Sequence, residues 1–247
     1  MKPGIADFVL IVAVASFPIL EIVFFPALAR ALANGSVTAR LVFYRIVIAV
    51  EWLLTAAIAS LWIAGGRPWS ALLLASATPW RVALCFILFP IAVGIWLLNQ
   101  RAVDNADPEK LERLLKGATG IELVLPHTAA ERNVFRIVSL TAGICEEFVY
   151  RGFLMWAFAS WIGLHPALVA QAVIFALGHV YQGSDARSVV LALLKTGAAG
   201  IFFGLIAIAA GSLLPGMAVH AVMDLSSGDV AYRYFSRWRS GAHSSPS

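Results

Sequence analysis

Apolar runs about as long as a bilayer is thick recur along this chain, and they constrain its fold more than any other feature. A helix needs about 20 residues to cross a hydrocarbon core. Runs of that order lie at 7–30, 41–64, 82–100, 133–160, 166–181 and 189–210, and a last one begins at Leu213 and fades by Val230. The first is interrupted by Pro18, Glu21 and Pro26. It does not read as a signal peptide, although Ala31-Leu32-Ala33 resembles a cleavage site. It is too long, contains a glutamate and has only Lys2 ahead of it.

Composition agrees. Charged residues make up 13% of the 247, where a soluble domain carries roughly a quarter. A water-soluble globule and a disordered chain are both excluded on that ground. What remains is an all-α, polytopic transmembrane helical bundle of about seven spans, since only helices and closed barrels satisfy their backbone groups in lipid. The net charge of +4 belongs to membrane-flanking loops, and no nucleic-acid partner is expected. Placing the N-terminus outside and the C-terminus inside puts 13 Lys and Arg on the cytoplasmic side and three outside. That is the positive-inside pattern. Cys85 and Cys145 stand apart in apolar runs and suggest neither a disulfide nor a thiolate metal site.

Three regions follow. Residues 1–132 hold three spans and a polar cytoplasmic loop, in which Asp107-Pro108-Glu109 starts a short amphipathic surface helix running to Lys116. The segment around Ser70–Ala77 is expected at the interface. Residues 133–231 hold the remaining spans, and 232–247 form a basic tail expected to be disordered. Gly200 and Gly204, with Gly197 nearby, point to close helix packing.

Ionisable residues at membrane depth usually mark function. Here they gather in the second half: Glu146-Glu147 with Arg151, Phe175 with His179, and His220 with Asp224. Glu147 and Arg151 are four apart on a helix and can pair. Glu146 points about 100° away, at about 3.6 residues per turn, and has no basic residue at i+3 or i+4. It is the carboxylate left to work. The same spacing lets Asp224 bond to His220 and orient its ring. Phe175 reads as packing that sets the helix one turn before His179. Three chemistries use such a set: hydrolysis with a carboxylate as general base, metal binding and proton-coupled transport.

The order EExxxR, FxxxH and HxxxD on successive spans resembles the CPBP family of intramembrane proteases. These are the type II CAAX prenyl endopeptidases and their bacterial relatives, also called the ABI family. The likeness covers about Phe135 to Asp224. It implies an endopeptidase of a bacterial inner membrane, acting on a membrane-embedded or lipidated peptide or protein. Glu146 would activate water, His179 would work with it, His220 would bind the oxyanion, and Asp224 would stand beside His220, where the prenyl protease branch often has asparagine. Glu147 and Arg151 would support them. The family has been described both with and without metal. A metal-free glutamate mechanism is the favoured expectation, with no cofactor; if zinc is present, Glu146, His179 and His220 would hold it. The rival functions are a non-catalytic relative that holds a membrane partner and a proton-coupled transporter. The transporter expects inverted repeats, whereas the polar density here lies in one half.

Overall fold

The structure is a computed structural model that describes residues 2–33, 36–75, 78–107, 109–110, 123–180 and 186–242. It is helical, with no strand among the described residues. The elements are α1 (Ile5–Ala33), α2 (Val37–Ala64), a 3₁₀ turn (Trp69–Leu72), α3 (Pro79–Cys85), α4 (Leu88–Asp104), α5 (Ala129–Glu146), a π-helical segment (Glu147–Leu154), α6 (Met155–Ile162), α7 (Leu164–Leu177), α8 (Ala186–Ala210) and α9 (Leu214–Ala242). By length and composition, α2, the α3–α4 pair and α8 can each cross a bilayer, and Ile5–Leu20 and α7 are shorter apolar helices. Leu53, Ile63, Leu98 and Leu194 are exposed on their outer faces. A face of that kind suits lipid and would be a liability in water.

Local chemistry sets the boundaries. Ser36 caps α2, its hydroxyl accepting from the Ala39 N–H. Thr128 and Glu131 form a reciprocal capping box that starts α5. Gly163, at φ +85°, breaks the chain between α6 and α7, a backbone shape that L side chains rarely adopt. α5, the π segment and α6 run on as one helix through the middle of the bundle. α9 packs along α5 and α4, α2 along α5, and α8 along α7.

Small residues allow those approaches. A Cβ at Gly143 would stand 2.8 Å from the backbone nitrogen of Ala221, so α5 and α9 touch main chain to main chain. A Cβ at Gly200 would stand 2.9 Å from that of Ala172 on α7, as the glycine spacing on α8 suggests.

The described part of the segment near Ser70 packs into the protein, and residues 76–77 lie outside the described residues. Leu72 is fully buried beside Phe153 and Leu213 in the main apolar core, and the Leu213 N–H donates to the Leu73 carbonyl at 2.9 Å. Four apolar residues in a row make that burial worthwhile, and a left-handed Leu73 (φ 56°) turns the chain back. One expectation is corrected: residues 232–242 are not a disordered tail but continue α9, while 243–247 lie outside the described residues. Tyr234 packs against Val103 and Ala106, Arg233 pairs with Asp104 at 2.5 Å, and Arg237 donates to the Val103 carbonyl. Arg233 and Arg237, which look like part of a solvated tail, therefore bind the end of α4, and Arg239 donates to the His127 carbonyl. Of the surface helix, Asp107 is seen to cap Lys110 at 2.7 Å; residues 111–122 lie outside the described residues.

Candidate active site

Glu146 and Glu147 are adjacent in sequence but turn to different surroundings. Glu147 opens the π segment and is fully buried. Its Oε1 lies 3.2 Å from Arg151 Nη1 and 2.9 Å from His220 Nδ1. The pairing with Arg151 is the one that helical spacing suggests. The bond to His220 comes from α9 and is invisible to any in-helix reading. An ionised carboxylate only accepts, so Nδ1 of His220 carries the hydrogen. Gly216 makes room for this carboxylate: a Cβ there would stand 3.1 Å from Glu147 Oε2.

Arg151 is fully buried as well. Its nitrogens meet no well-aligned hydrogen-bond acceptor among the described residues. The charge is instead held by Glu147 and by the face of Phe175, whose ring centre is 4.1 Å from the guanidinium carbon. Phe175 thus does more than pack the helix before His179. It covers the cation that fixes Glu147.

His220 lies flat on Phe203, with ring centres 4.7 Å apart and an 18° tilt. Its Nε2 faces Glu146 Oε2 at 3.6 Å and Asp224 Oδ2 at 3.8 Å. Both exceed hydrogen-bond length. The expectation that Asp224 orients His220 is therefore corrected: Glu147 orients it, from the opposite nitrogen. Asp224 is 37% exposed and borders the same space as Glu146.

His179 follows the last turn of α7. That helix has only 14 residues. The His179 Nδ1 donates to the Phe175 carbonyl at 2.8 Å. In a neutral ring this leaves Nε2 as an acceptor.

Glu146, His179 and Asp224 line one end of a cavity of about 750 Å³, whose remaining walls are mainly apolar side chains of α1, α2 and α5. A further carboxylate lines it too: Glu51 of α2. Sequence reasoning passed over Glu51 among the scattered charges of the first half. Its signal was present, as the only charged residue between Ile46 and Ala64, but nothing in the sequence places α2 against α5.

Residues 131–226 match the family model described as type II CAAX prenyl endopeptidase Rce1-like. This stretch belongs to the CAAX protease family. The CAAX protease stretch contains Glu146, Glu147, Arg151, Phe175, His179, His220 and Asp224, while Glu51 and the α1 and α2 walls of the cavity lie outside it. No curated protein and no solved structure matches the chain.

Among the described residues, no three His, Cys, Asp or Glu side chains converge as a metal-binding set. His179 and His220 each hold Nδ1 on another partner, as metal-ligating histidines commonly do, which leaves Nε2 as the nitrogen that could ligate. In the arrangement described, Glu146, His179 and His220 do not converge on one point.

Proposed function

We propose that the chain is an intramembrane endopeptidase in which Glu146 activates the water that attacks a peptide carbonyl. The observation that carries this reading is Glu146 facing His220 Nε2 at 3.6 Å, at the polar end of an otherwise apolar cavity. The gap is too long for a direct hydrogen bond and leaves room for reacting groups to tighten it, as catalytic sites do on binding substrate.

Water attacks the carbonyl carbon as Glu146 takes one of its protons. His179, its Nδ1 tied to Phe175, offers Nε2 to the proton that Glu146 takes up, and so assists the carboxylate rather than binding the water. His220, in its doubly protonated form, donates from Nε2 to the oxyanion while Nδ1–H stays on Glu147. Glu146 then passes its proton to the leaving nitrogen as the C–N bond breaks. Asp224 borders the site and sets its charge. Glu147 and Arg151 keep the imidazole in place.

An apolar corridor ending in carboxylates and imidazoles suits an amphiphile. The substrate is accordingly a membrane-anchored or lipid-attached peptide or protein that enters from the bilayer. On this reading the protein works in a bacterial inner membrane with its C-terminus cytoplasmic, which the excess of Lys and Arg on that side supports. No metal or other cofactor is assigned.

The test compares new protein termini in membranes of the natural host carrying wild type or Glu146→Gln at equal levels. Termini produced by wild type alone support proteolysis and name the substrates. Identical termini from both would overturn it and point to a protein that holds a membrane partner.

A further inference from the structure

We infer that Glu51 is a second catalytic carboxylate, one that holds the water Glu146 activates. The inference rests on the protease reading above and adds a residue from outside the CAAX protease stretch.

Glu51 sits midway along α2, a helix that presents no other charge between Ile46 and Ala64. It lines the same cavity as Glu146, His179 and Asp224. It also lies within electrostatic reach of Glu146 and Asp224. Its Oε2 is buried and has no hydrogen-bond partner among the described residues. A buried acceptor without a donor is costly, and such a group calls for a water or a functional reason. A cation does not supply it: among the described residues no Lys or Arg lines the cavity, and Arg151 is enclosed between Glu147 and Phe175.

One water would serve both carboxylates. It has two hydrogens to give: ionised Glu146 accepts one, and Glu51, which lines the same space and has an acceptor oxygen whether or not it is ionised, accepts the other. With one hydrogen on each, the oxygen lone pair is left directed toward the substrate carbonyl. On attack, the proton on the Glu146 side moves to Glu146 and later to the leaving nitrogen. The other stays on the water-derived oxygen, hydrogen-bonded to Glu51, and ends on the new carboxyl group. Glu51 finishes unchanged. Charge and atoms balance, and no other reactant is needed.

The experiment uses the full chain in membranes and a peptide spanning a cleavage site that wild type is seen to cut. The variants are Glu51→Leu, Glu51→Gln and, as reference, Glu146→Gln. Glu51→Leu replaces an unpartnered buried acceptor by an apolar group of similar size, so the melting temperature is expected to hold or rise. Meanwhile kcat is expected to fall by about 100-fold or more, with KM little changed. A structural residue gives the opposite pattern, lower stability with kcat kept in the folded fraction. Wild-type kcat in Glu51→Leu overturns the inference. If that variant does not fold, Glu51→Gln decides by the same comparison. If wild type and Glu146→Gln do not differ, the protease reading itself fails; if they differ and both Glu51 variants match wild type, only the role of Glu51 fails.

Discussion

His220 is held by Glu147 across 73 residues of sequence, Nδ1 to Oε1 at 2.9 Å. The same oxygen faces Arg151 at 3.2 Å. One buried carboxylate therefore serves two helices, neutralising a cation on its own helix and setting the ring on α9.

Removing Glu147 should show both duties. Glu147→Leu leaves Arg151 buried without its counter-charge, a loss expected at about 3–5 kcal/mol. The double variant Glu147→Leu/Arg151→Met should recover much of that stability and none of the activity, because His220 is still unheld. Denaturant unfolding and peptide cleavage measured on the same preparations check this. Recovery of activity along with stability would contradict it.

Asp224 should matter less than His220. It stands 3.8 Å from Nε2 and is partly exposed. Asp224→Asn is expected to fold normally and lose less than about 10-fold in kcat, while His220→Ala loses on the order of 100-fold or more, the usual size of an oxyanion-donor deletion. Steady-state kinetics on the two variants decide it. Equal losses would return the orienting role to Asp224.

The contact of α5 with α9 aligns Glu146 and His220. Gly143→Ala would drive a methyl to 2.8 Å from the Ala221 backbone nitrogen. Backbone cannot step aside as a side chain does, so a loss of about 1–3 kcal/mol is expected. Gly204→Ala meets chiefly the tip of Leu168, a side chain that can turn away, and should cost less. Melting temperatures of the two variants test the ranking.

Acid should loosen the base of α5. Glu131 precedes the apolar run there and is bonded to Arg40 and to the N–H groups of His127 and Thr128, each at 2.8 Å. Burial pushes its carboxyl up, but those bonds and the Arg40 charge outweigh burial and hold it below the usual glutamate value. A folded value below the unfolded one stabilises above the unfolded pKa, about 4.3, and that stabilisation is lost as pH falls through the folded value. Melts over a falling pH series should drop in wild type below about pH 4.3 and show a smaller drop in Glu131→Gln. Parallel curves would contradict it.

Much of this was legible from local spacing. The apolar runs locate the helices because lipid allows little else, and Glu147–Arg151 follows from one helical turn. What escaped was set between helices. Glu51 looks like a stray charge until α2 is laid on α5. Asp224 looks like the partner of His220 because it is one turn away, whereas the partner comes from another helix. Residues 232–242 look like a solvated tail because their hydropathy is low, yet Arg233, Tyr234 and Arg237 have the end of α4 to bind. The π segment at 147–154 carries no pattern that distinguishes it from ordinary helix, although such segments gather at functional sites.

The most direct measurement follows oxygen from water. Purified protein in lipid is given a peptide spanning a host cleavage site in ¹⁸O-labelled water, and the products are weighed. Wild type should return a new carboxyl terminus carrying one ¹⁸O, and Glu146→Gln, folded to the same melting temperature, should return almost none. Labelled product from Glu146→Gln at the wild-type rate would remove Glu146 from the chemistry.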